Sequence, residues 1–170
     1  MTGRENVGPQ PVLGLVDPAT TDPKPWLFLD CDGVVSPLPP RDHEERERVG
    51  VPPGYFTCTG AFWVPYFHEH IRDWIGELDH AFDIIWSSSW EEEMLWALVG
   101  TPLGFSRWPS IEARSFTART RADNKAKAVR AHLDRHPRRF AWVDDDLRPG
   151  RPSKAIAELP LAHLLFSPNR

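Results

Sequence analysis

Cysteine is scarce in this chain of 170 residues: only Cys31 and Cys58 occur. Two are too few for a disulfide scaffold, and their separation lacks the paired spacing of a zinc site, so a reducing compartment is expected. No run is apolar for long enough to cross a bilayer, and the N-terminal MTGRENVGPQP has no basic stretch followed by an apolar one. The expectation is a soluble, cytoplasmic protein with no membrane partner. Charge of one sign is also weak, at a net of -4 and a pI of about 6.0, so nothing global demands nucleic acid. Glycine and proline stay short of a low-complexity composition, although the 18 prolines are about twice the usual share of roughly 5%. They read as long, punctuated loops, and no internal repeat is visible. What the chain does hold is bulk, with eight Trp and nine Phe among 41% hydrophobic residues. That suffices for a single domain with its own core.

The charge that is present lies unevenly. Residues 107–139 carry ten Lys or Arg against three acids, a local net of +7, which suits an anionic substrate near one edge of the fold. A solvated basic helix face explains most of these side chains. Residues 1–25 hold five prolines without apolar periodicity and read as an N-terminal tail or strap; the domain then runs over 26–170. Buried strands are expected at 26–30 (WLFLD), 82–86 (FDIIW), 108–111, 140–143 (FAWV) and 161–166. Between them, Phe67, Ile71, Trp74, Ile75 and Leu78 recur at helical spacing. Ser89 and Glu92 stand as a capping box for a helix ending at Gly100. Thr120 or Asp123 caps a helix through Leu133, and 153–159 forms another. Residues 36–65 form a flap segment whose strand-like part, 55–64, makes a small hairpin. Strand and helix alternate, so the fold class is α/β, with a mostly parallel five-stranded sheet and ligands at the carboxyl ends of the strands.

Three polar groups stand at such ends: Asp30-Cys31-Asp32-Gly33, Ser87-Ser88-Ser89 and Asp144-Asp145-Asp146, with Lys125 opening the intervening helix. Carboxylates converging on one crevice repel each other unless a cation compensates, and oxygen-only ligands select a hard ion such as Mg2+. A carboxylate beside Mg2+ and a lysine can attack phosphorus. Asp30 is the candidate nucleophile, forming an aspartyl-phosphate, and Asp32 the acid and base. Gly33 permits a sharp turn that brings backbone N–H groups to the phosphate. A serine hydroxyl holds a phosphoryl oxygen, and Lys125 neutralises nucleophile and phosphoryl group.

WLFLDCDGVV resembles the first motif of the haloacid dehalogenase (HAD) superfamily, and the order acid pair, Ser, Lys, acid pair resembles the remaining three, over about 26–166. The resemblance implies a Rossmann-like three-layer fold and an Mg2+-dependent phosphatase of phosphomonoesters. It implies Asp30 as nucleophile and metal ligand, and Asp32 as acid/base that lends a backbone carbonyl to Mg2+. It implies Asp144 as a metal ligand and Asp145 as a second or water-mediated one. WSSSWEEE is similar to the W-A-T-G-W-E stretch of a bacterial HAD group associated with RNA-repair-like proteins. That alignment selects Ser88 over Ser87 for the phosphate, with Ser87 and Ser89 beside it; three serines in a row leave the register open by one. Neither gap between motifs holds a large cap. An open site favours a terminal phosphate on a nucleotide or nucleic acid, or a lid lent by a second copy in a homo-oligomer, with Tyr55, Phe56 and Trp63 stacking on a base.

Structural roles compete for several of these residues. Aspartates at strand ends form turns, and Ser88 or Ser89 can cap a helix. Lys125 competes with Lys127, Arg119 and Arg121, and Asp146 reads as solvated or as a loop cap. Cys31 reads as a small core residue, the seven histidines as helix-surface residues, and Trp86, Trp90, Trp96 and Trp142 as packing. Two rival functions are a receiver-like phospho-acceptor, whose lysine would follow its last acids, and a silent HAD-like scaffold binding a partner through the Trp-rich flap.

Overall fold

The computed structural model describes residues 23–37, 50–51, 53–57, 65–111, 118–147 and 163–165. Along the chain run β1 (Trp26–Leu29), β2 (Tyr55–Thr57), β3 (Tyr66–His68), α1 (Ile71–Ala81), β4 (Asp83–Trp86), α2 (Glu92–Leu95), a π-helical turn (Trp96–Gly100), α3 (Thr101–Leu103), α4 (Ala118–Arg135), β5 (Phe140–Val143) and β6 (His163–Leu165). Four strands make one parallel sheet in the order β4-β1-β5-β6, and β2 pairs with β3 in a separate antiparallel ribbon. The tail 1–22, most of the flap segment and the helix expected at 153–159 lie outside the described residues.

Side-chain alternation splits the core into two faces. Leu27, Leu29, Ile84, Trp86 and Ala141 meet Ile71 and Ile75 of α1 together with Leu95 and Val99 on one side. Phe28, Ile85, Phe140 and Trp142 meet Ala126, Val129 and Leu133 of α4 on the other. Helices therefore cover both faces, giving three layers. Leu29 lies level with Trp86 and Val143. The next residue on each strand, Asp30, Ser87 and Asp144, consequently emerges at one edge. Strand parity directs all three toward the α4 face.

Several expected elements differ. The strand expected at 108–111 is a single bridge between Trp86 and Ser110, so the described sheet has four strands. Pro109 has no N–H to extend a ladder. Phe67 belongs to β3, opposite Phe56, and the helix starts only at Ile71. The alternation in Tyr66-Phe67-His68, half-buried, buried, half-buried, is a strand's period. The helix expected to end at Gly100 passes through it to Leu103, and Gly104, at φ 74°, ends it. Gly100 packs against the Trp96 ring so closely that a Cβ there would sit 2.6 Å from a ring carbon. The Ser89–Glu92 capping box does not form: Glu91 precedes the first turn without a side-chain cap, and Glu92 accepts the Ser110 N–H at 3.3 Å. Thr120 and Asp123 lie inside α4, which begins at Ala118. His68 lies on a strand, and His132 packs edge-on against Trp26 and Phe28. No helix among the described residues is long and apolar enough to cross a membrane.

Candidate active site

Lys125 lies one residue before Ala126 and one and two turns before Val129 and Leu133, the residues by which α4 packs on the sheet. Its ammonium is therefore carried to the strand ends. There Nζ donates to Asp30 Oδ2 and to Asp144 Oδ2, each at 2.8 Å, with Asp146 Oδ2 at 3.7 Å. Lys125 is 1% exposed, Asp30 3% and Asp144 0%. Asp30 Oδ1 accepts the Cys31 N–H at 2.8 Å, and Asp144 Oδ1 accepts the Asp146 N–H at 2.9 Å. One oxygen from each of Asp30, Asp144 and Asp145 lies within 4.8 Å of the others, a geometry that could hold a metal ion.

Among the described residues, two buried carboxylates face one ammonium, so negative charge exceeds positive. Burial, then the Asp144 charge, pushes Asp30 up to about 8 from an ordinary 3.8, against the opposing pull of Lys125. Burial also raises Asp144. Lys125 is itself raised: burial works against its charge, but the two carboxylates outweigh it. Without a further cation, one carboxyl therefore keeps its proton.

Around this cluster the loop after β1 turns back sharply. The carbonyl of Cys31 accepts the N–H groups of Val35 and Ser36 at 3.0 and 2.9 Å, and the Gly33 N–H reaches the Ser36 carbonyl at 2.7 Å. Gly33 has φ 78°, and a Cβ there would lie 2.6 Å from Asp145 Cγ. Gly33→Ala should accordingly cost about 1–2 kcal/mol in backbone strain and displace Asp145. Chemical denaturation and a divalent-metal titration of the variant measure the two effects, and unchanged metal affinity would contradict the second.

Ser87 is wholly buried, and its Oγ has no hydrogen-bond partner among the described residues. Ser88, also buried, accepts the Trp90 N–H at 3.3 Å, and Ser89 is exposed. Asp32 is half-buried and points its Oδ2 at the indole of Trp90, which donates at 2.9 Å.

A sequence model of the HAD domain in Swiss Army Knife RNA repair proteins matches residues 26–160. The chain belongs to this HAD family. No curated protein and no solved structure matches it significantly.

In this HAD domain the acids, Lys125 and the buried serines come from four separate stretches of chain, and α4 together with three adjacent strand ends unites them. The fit to a divalent cation rests on the donor set: three carboxylates, all oxygen, two of them buried with raised proton affinity. Asp32 contributes no side-chain oxygen to that triad. Asp146, read as solvated or as a loop cap, is half-buried with its Oδ2 3.7 Å from the Lys125 ammonium. Three of the ten cations of the basic segment are engaged elsewhere: Arg107 pairs with Glu92 and Glu93, Arg130 with Asp134, and Arg138 with Asp83. Phe56 packs against the buried core rather than standing free to stack on a base, while Trp63 and Cys58 lie outside the described residues. The Trp90 indole contact escaped the sequence reading, because a tryptophan beside a strand end carries no signal separating a hydrogen-bond donor from a packing ring.

Proposed function

We propose that this HAD domain is an Mg2+-dependent phosphatase that removes a terminal phosphate from a nucleic acid or nucleotide through an aspartyl-phosphate on Asp30. The observation that carries the proposal is the Lys125 ammonium held 2.8 Å from both Asp30 and Asp144, with Asp145 completing a cation-sized group of oxygens. The nucleic-acid substrate rests on the family, whose description names RNA repair proteins.

Asp30, Asp144 and Asp145 would hold the cation, with Asp32 lending its backbone carbonyl. When bound, it offsets the charge of the phosphoryl oxygens and keeps Asp30 ionised. Asp30 attacks phosphorus through a carboxylate oxygen. The bond to the leaving oxygen breaks, and Asp32 gives that oxygen a proton. Asp32, now a carboxylate, takes a proton from water as that water attacks phosphorus. Cleavage of the bond to Asp30 then releases inorganic phosphate and restores both acids. Lys125 neutralises charge on Asp30 throughout.

The serines divide the remaining work. An unpaired hydroxyl in a buried site costs about 1–3 kcal/mol, and a phosphoryl oxygen within reach of Ser87 would satisfy it. The Trp90 N–H occupies a lone pair of Ser88 and leaves that hydroxyl's own proton to donate, and the resemblance to the W-A-T-G-W-E stretch favours Ser88 for the phosphate. Ser88→Ala is expected to raise KM for phosphate-ended substrate roughly tenfold or more, the value of a charge-assisted hydrogen bond. Ser87→Ala should raise KM less and improve stability. The reverse order in steady-state kinetics would give the phosphate to Ser87.

The whole proposal is tested by phosphate release from sugar phosphates, nucleotides and phosphate-ended oligonucleotides, with Mg2+ and with a chelator. Release from the oligonucleotides that depends on Mg2+ is expected; no release from any of them would refute it.

A further inference from the structure

We infer that Trp90 is a positioning residue: its indole N–H fixes the carboxyl of Asp32 so that one defined oxygen passes the proton to and from the reaction. The inference rests on the phosphatase reading above and adds to it a role for the tryptophan that follows the three serines.

Trp90 ties two loops together. Its backbone N–H donates to Ser88 Oγ at 3.3 Å, and its indole N–H donates to Asp32 Oδ2 at 2.9 Å. A group that holds the phosphate and the group that protonates the leaving oxygen are thereby spaced through a single residue. The turn bearing Asp32 is itself pinned to Cys31 and Ser36. The position of the Asp32 backbone is thus set locally, and the indole N–H adds a directional contact to one oxygen of its carboxyl. An oxygen that accepts an indole N–H keeps its lone pair directed there. The exchanged proton then belongs on Oδ1, facing away from the ring. Donation from a misdirected carboxyl is slow, because proton transfer needs the two oxygens within hydrogen-bond reach and aligned.

Trp90→Phe keeps an aromatic ring and the backbone N–H to Ser88, and deletes the indole donor. Proton donation matters most when the leaving oxygen is strongly basic and little when it is a stable anion. The variant should therefore lose at least about tenfold in kcat/KM on an alkyl or nucleoside phosphate and less than about threefold on an activated aryl phosphate. Asp32→Asn should show the same selectivity, more strongly. Equal losses on both substrates, or none on either, would overturn the inference. A readout free of turnover accompanies it: in a nitrogen-15 spectrum of the full chain, the Trp90 indole resonance should move on Asp32→Ala. An unmoved resonance also overturns the inference, whatever the activity. If the wild-type protein hydrolyses neither phosphate while the resonance does move, the contact stands and the phosphatase reading fails, together with the catalytic role given to Trp90.

Discussion

Lys125→Met should yield a protein that is inactive and about 3–5 kcal/mol less stable than the wild type, the cost of stripping one partner from a buried ion cluster. The lysine is 1% exposed and bridges Asp30 and Asp144 by donating to both at 2.8 Å. Methionine fills much of the same volume but leaves the remaining charged carboxylate without its counter-ion, beside a carboxyl that is already protonated. That carboxylate must then take up a proton as well or swing away. A divalent cation would fall between the same oxygens, so added Mg2+ should raise the melting temperature of the variant more than that of the wild type. Denaturant titrations with and without Mg2+ measure both effects. A variant within about 1 kcal/mol of the wild type would show that the cluster does not bear on the fold in the way its burial implies.

Asp30→Asn should behave in the opposite way toward stability. Turnover should fall by about four orders of magnitude or more, since an amide oxygen does not replace a carboxylate nucleophile. The fold should survive, because Lys125 keeps its bond to Asp144 and an amide resembles the neutral carboxyl that burial favours. The pH dependence has a definite sign. A carboxyl raised from 3.8 to about 8 binds its proton more tightly when folded, so its contribution to stability is largest at low pH. That contribution shrinks as pH rises from about 4 to about 8, where the unfolded chain is ionised and the folded one is not. In the presence of a chelator, the stability of Asp30→Asn relative to the wild type should therefore increase across this window. A constant difference would mean that Asp30 is ionised in the folded protein without any metal.

The parts of the site nearest regular structure were legible in the sequence. WLFLD, FDIIW and FAWV are apolar runs that end abruptly in polar residues, and such runs in an alternating chain must be parallel strands with level ends. Lys125 was legible only from its place in the family resemblance, because Lys127, Arg119 and Arg121 lie on the same segment; the inward face set by Ala126, Val129 and Leu133 is visible in the fold. Less legible were features decided by contacts distant in sequence. Phe67 has helical spacing to Ile71 and Ile75, yet pairing with Phe56 holds it in a strand. Glu92 has the spacing of a capping box, but the Ser110 N–H and Arg107 draw its carboxylate away from the helix end. Gly100 reads as a stop, whereas it is the flat surface on which Trp96 lies. Trp90 shows the same limit at the site itself, because only the folded loop brings its indole to Asp32.

The most direct test of the account is chemical capture of the phosphoryl group. The protein is mixed with Mg2+ and a phosphate-ended oligonucleotide, quenched in acid during turnover, digested and mapped by mass spectrometry. The prediction is one phosphoryl group on the peptide containing Asp30 and none in Asp30→Asn. A phosphoryl group on another residue, or oligonucleotide dephosphorylation by Asp30→Asn at the wild-type rate, would contradict it.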